Sequence, residues 1–100
     1  MDPAIPNIYV SDVVVSTAGR DQGSLYYVIS TDELFLMLVN GKDRTLDKPK
    51  RKKLRHVQKV LRSETRVAAK ILSGDKVLNS ELRRDLAFHA SHLQANNLGG

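Results

Sequence analysis

Eight lysines and arginines, and no acidic residue, fall within residues 48–62 of this 100-residue chain. The stretch LDKPKRKKLRHVQKV holds four cations in a row, Lys50, Arg51, Lys52 and Lys53, before apolar positions return. Folding such a run against a domain concentrates its mutual repulsion, which a polyanionic ligand would relieve. Pro49 lacks a backbone donor, so the residues around it are expected in a loop or an edge strand. The charge is local: residues 1–47 carry a net of −4, residues 48–62 a net of +8 and residues 63–100 a net of +1, giving the overall +5. That distribution describes a patch on one surface and not a generally basic protein. The plainer alternative is a solvated loop that only keeps the chain soluble.

The segments on either side have the apolar content of a folded domain, with 41% hydrophobic and 27% charged residues overall. Residues 13–15, 25–29 and 34–39 are short β-branched, aromatic and aliphatic runs bounded by turn chemistry, and read as strands. Gly19 and Gly23 supply positive φ to the connection between the first two. Asn40-Gly41 predicts a type I′ hairpin, followed by a fourth strand near residues 44–46 and a fifth over residues 56–61. Val57 and Leu61 fall near alternate positions of the fifth, and Val60 breaks the alternation. Five short strands suggest a small barrel, mainly β, over residues 8–62. The apolar runs do not alternate cleanly, so the outer face is expected to be partly covered. From about residue 64 the period becomes helical, with Val67, Ala68, Ile71 and Leu72 on one stripe and Gly74 as a C-terminal cap. Leu82, Leu86, Ala90 and Leu93 mark a second helix, capped by Asn79 or Ser80. These two helices form an extension over residues 63–95.

The stretch VVVSTAGRDQGSLYYVIS resembles the KOW motif, a strand, a Gly-x-x-x-Gly loop and a second strand. Gln22 stands where a Lys or Arg usually precedes the second glycine, leaving Arg20 as the loop's one cation. The continuation also resembles KOW proteins of the large-subunit ribosomal fourteen-e group, and their short bacterial relatives in particular. The matching residues are Asn40-Gly41-Lys42, then Lys48-Pro49-Lys50-Arg51-Lys52-Lys53, then Arg55-His56-Val57. The resemblance covers residues 11–60 and implies an SH3-like barrel that binds structured RNA, ribosomal RNA above all, without catalysis. It points to Arg20, Lys42, Arg44, Lys48, Lys50, Arg51, Lys52, Lys53, Arg55 and His56 as nucleic-acid contacts. Lysine and arginine bind phosphate, and Arg55 or His56 can stack on or hydrogen-bond to a base or 2′-hydroxyl.

The remaining chemistry is sparse. There is no cysteine, so disulfides and thiolate metal sites are excluded. His89 and His92 have a spacing that can share a metal on a helix, yet no third ligand stands beside them, and no metal or cofactor is expected. No P-loop or hydrolytic Ser/His/Asp order occurs. Tyr26 and Tyr27 point to opposite faces of a strand, one in the core and the other exposed or covered by a helix in preference to stacking on a base. Phe35 and Phe88 are expected to pack. The N-terminus has no basic region followed by an apolar core, and no apolar run approaches the roughly 20 residues that span a bilayer, so a cytoplasmic protein is expected. A rival reading is an adaptor at the ribosome or transcription machinery, docking a protein partner through the C-terminal helices.

Overall fold

The computed structural model describes residues 7–99, with side chains described through Leu93. Strands β1 (Asp12–Ser16), β2 (Leu25–Thr31), β3 (Phe35–Val39), β4 (Lys50–Lys53) and β5 (Val57–Arg62) form one antiparallel sheet in the order β4-β3-β2-β1-β5. A three-residue 3₁₀ turn, Leu54–His56, joins β4 to β5. Helices α1 (Arg66–Ser73) and α2 (Asn79–Gly99) follow. The architecture is therefore mainly β with two C-terminal helices.

The short turn bends the sheet. In a flat sheet, edge strands four spacings apart would lie about 19 Å from each other. Four Cα steps reach at most about 14 Å, and less in a 3₁₀ turn. The end of β4 and the start of β5 must therefore approach each other, and the sheet curls around an inner core. Among the described residues no ladder joins these two strands, so the sheet remains open there.

Both faces are buried, which is why the apolar runs do not alternate. Ile8, Val14, Tyr26, Val28, Leu36, Leu38 and Val57 fill the inner face. Val13, Tyr27 and Val39 lie on the outer face beneath Val67, Ala68, Val77, Leu82 and Leu86 of the helical segment. Each adjacent pair, such as Tyr26 and Tyr27, sends one side chain into each core. The tyrosines are accordingly both buried, Tyr27 under the helices as one expectation had it. The break at Val60 is a bulge: Val13 faces Leu61 and Val14 faces Lys59, so Val60 has no partner across the pair.

Four local expectations are corrected. Residues 44–46 are not a strand, and the fourth strand lies later, in the basic run itself. Asn40 closes the intervening loop instead, its Oδ1 accepting from the amides of Lys42 (2.9 Å) and Arg44 (3.0 Å). Gly41 has φ +77° but Asn40 does not share the left-handed conformation, so no type I′ turn forms. Lysine is a poor strand former, but β4 is an edge strand that starts just after Pro49, where charge is tolerated and guards against edge pairing. At α2, Asn79 and Ser80 do not cap with their side chains. Glu81 reaches back to accept from the Leu78 amide (3.0 Å) and pairs with Lys70 of α1 (2.7 Å). Phe88 is exposed, not packed into a core.

One buried polar cluster fixes α2 to the sheet. The Tyr27 hydroxyl contacts Ser63 Oγ (2.7 Å), Thr65 Oγ1 (3.3 Å) and His89 Nε2 (3.2 Å), and donates to Asp85. Burial and the Asp85 hydrogen bond push the Tyr27 phenol up to about 12.

Gly41 is a tight point of contact between the β3–β4 loop and α2. A Cβ there would stand 2.3 Å from the Asn79 carbonyl oxygen and 2.9 Å from Leu82 Cβ. Gly23 has a similar positive φ of +93° but nothing within 4 Å. Gly23→Ala is expected to cost about 1–2 kcal/mol from its φ alone. Gly41→Ala should cost at least about 1–3 kcal/mol more through overpacking. Urea midpoints followed by circular dichroism would show the difference, and equal losses would mean that the loop and helix are not in contact.

Candidate nucleic-acid interface

The register of β4 divides the basic run into two halves. Lys50 and Lys52 lie opposite Leu38 and Leu36, on the inner face. Arg51 and Lys53 lie opposite Met37 and Phe35, on the outer face. Strand geometry makes this division unavoidable, because successive side chains point to opposite sides.

The inner half is engaged within the fold. Lys52 is 8% exposed, and its Nζ donates to Asp21 Oδ1 (2.8 Å) and to the Ala18 carbonyl (2.8 Å). Lys50 Nζ lies 3.5 Å from Asp21 Oδ2. Asp21 also accepts from Ser16 Oγ (2.9 Å) and Tyr26 OH (2.8 Å). Desolvation by itself would raise the Asp21 pKa. The hydrogen bonds from Lys52, Tyr26 and Ser16, with the charge of Lys50, outweigh it and hold the carboxyl well below the usual carboxylate range. Burial and the same carboxylate push the Tyr26 phenol well above its ordinary value. The expectation that Lys52 faces a ligand is corrected here: its ammonium is engaged inside the protein, and Lys50 is partly so. Asp21 was not singled out by its sequence. The only signal was an acid inside the glycine loop of a chain whose central run is wholly basic.

The outer half is displayed. Arg20, Lys42, Lys48, Arg51, Lys53 and Arg55 are exposed, and Arg44 and His56 are half-buried. Among the described residues, none of these eight forms an ion pair within 4 Å. The strip runs along the free edge of the sheet. The loop with Lys42, Arg44 and Lys48 precedes β4, and Arg55 and His56 follow it. The Arg20 loop adjoins His56 through the Thr17 amide, which donates to the His56 carbonyl (2.9 Å), while its Asp21 meets the inner face of β4. Helix α2 brings one cation that the sequence did not suggest, Arg83, whose guanidinium donates to the Gly41 carbonyl. Within the strip, the Arg51 guanidinium carbon sits 3.6 Å above the centre of the Phe35 ring.

Other constellations are structural by their geometry. Ser63 Oγ and the Asp85 carboxylate both approach Nε2 of His89, at 3.1 and 3.4 Å. A hydrolytic relay places carboxylate and hydroxyl on opposite ring nitrogens. His92 instead has Nδ1 3.1 Å from the Phe88 carbonyl oxygen, away from this cluster. Among the described residues, no group of three potential ligands is placed to hold a metal, and no helix is long and apolar enough to cross a membrane.

The Asp21 pair sets an acid dependence. The folded state holds Asp21 ionised, while the unfolded chain takes up a proton near the ordinary carboxylate value, so stability is full above that value and falls as pH drops below it. Urea midpoints between pH 6 and 2 should decline more steeply in the unmodified protein than in Asp21→Asn. That variant is also expected to lose roughly 3 kcal/mol or more at pH 6, because Lys52 is left without its partner. No protein-family model matches the chain, and no curated protein sequence matches it.

Proposed function

We propose that the chain is a non-catalytic, cytoplasmic RNA-binding protein on an SH3-like barrel of the KOW type. In this reading its basic edge strand and flanking loops contact the phosphates of structured RNA, most directly ribosomal RNA. One observation carries it: Asp21 engages Lys50 and Lys52 on the inner face of β4, while Arg51 and Lys53 are exposed on its outer face at a sheet edge. Arg51 and Lys53, two residues apart on one face, are separated by about 6.8 Å, a reach suited to successive phosphates of one strand. Lys42, Lys48, Arg20 and Arg55 extend the row at either end. The preference for RNA over DNA rests on the resemblance of residues 11–60 to ribosomal KOW proteins.

A protein-interaction adaptor is the second reading, and it is supported by Phe88. This aromatic is 49% exposed on α2 and borders a shallow hollow with Thr65, Val67 and Arg84.

Fluorescence anisotropy with a structured ribosomal RNA fragment tests the first reading. Four or five phosphate contacts give a log–log salt slope of roughly −3 to −4. Replacing Arg51, Lys53 and Arg55 together by alanine should weaken binding at every salt concentration and flatten the slope by about 2–3, with an unchanged melting temperature. An unchanged slope removes the edge strand from the interface. Sedimentation of a lysate with and without RNase separates the two readings, since an adaptor complex persists after the RNA is digested.

A further inference from the structure

We propose that Phe35 and Arg51 form a platform on which an unpaired nucleobase stacks, so that the partner is RNA with exposed loop bases and not uniform duplex. The proposal rests on the reading of this edge as an RNA surface and adds to it a site for a base. Phe35 faces Lys53 across the β3–β4 pair, and Arg51 faces Met37, all on the outer side. Arg51 therefore reaches diagonally to cover the Phe35 ring, within the range of long side chains on neighbouring strands. Its guanidinium lies 3.6 Å above the ring centre, and the residue is exposed.

The cation thus sits over an aromatic ring, in a residue that remains exposed to solvent. The Phe35 amide and the Leu34 amide both donate to Asp32 Oδ1, at 2.8 and 2.9 Å. This turn fixes the start of β3, and the Asp32 carboxylate also interacts with the Arg51 charge. Phe35 belongs to neither buried core and is half-buried, with Arg51 lying over its ring. Guanidinium planes and aromatic rings are the surfaces on which unpaired bases stack. Lys53 on the same face and Arg55 beyond it are placed for the phosphates that flank such a base.

The test uses the full chain and two RNA stem-loops with the same stem and phosphate count. One carries adenines in its loop, and the other has abasic loop positions. The unmodified protein should bind the adenine loop about tenfold more tightly. Arg51→Lys, which keeps the charge and loses the plane, should abolish that preference and leave the salt slope unchanged. Phe35→Leu should do the same, with melting temperatures confirming that both variants fold. Equal affinity of the unmodified protein for both RNAs, or a preference that survives both substitutions, overturns the platform and leaves the phosphate-contact reading intact. Failure to bind either RNA overturns both.

Discussion

Asp21 stands where the β1–β2 loop meets β4, and the arrangement of the basic edge depends on it. Without a carboxylate at that point, two lysine side chains would point from β4 toward an apolar interior with nothing to balance them. Its contacts with Lys52, Lys50, Ser16 and Tyr26 hold the glycine loop against the edge strand and satisfy a nearly buried ammonium. A buried ion pair of this kind contributes little to net stability compared with apolar packing, but removing either partner is costly. Its role here is positional. It holds the inner face of β4, and so separates the engaged lysines from the exposed cations of the outer face.

The sheet imposes the second constraint. A three-residue turn between its two edge strands forces it to curl, and the curl creates an inner core distinct from the outer core under the helices. The Tyr27 cluster secures the outer layer by joining β2, the β5–α1 link and α2 through side-chain hydrogen bonds. The helices cover the outer face at Val13, Tyr27 and Val39. Phe35 and Met37, nearer β4 on that face, are only half-buried, so the open outer surface coincides with the displayed half of the basic run. The helical layer thereby delimits the open outer surface as well as stabilising the fold.

Much of the architecture could be read from the chain before its folding was known. Short apolar runs, turn residues and the change to a helical period from about residue 64 located four of the five strands and both helices, and Gly74 marked the end of α1 because its φ of +76° suits glycine. Residues 44–46 misled because Asn-Gly is a strong hairpin signal, whereas here the Asn40 side chain closes a longer loop. Pro49 points the residues around it to a loop or an edge strand, and the basic run forms the edge strand β4. Intrinsic propensity argues against a lysine-rich strand, and only the free edge of β3 made one favourable.

What the sequence by itself determined is whatever depends on near neighbours in the chain: the strand and helix periods, the capping glycine, and the concentration of positive charge in one short segment. The tertiary structure decided which of those charges are available. Residue identity could not reveal that Lys52 is engaged and Arg51 displayed, because the difference comes from strand register and from an acid 31 positions away. It also could not place Arg51 over Phe35 or Arg83 beside Gly41, since both contacts join segments that only folding brings together.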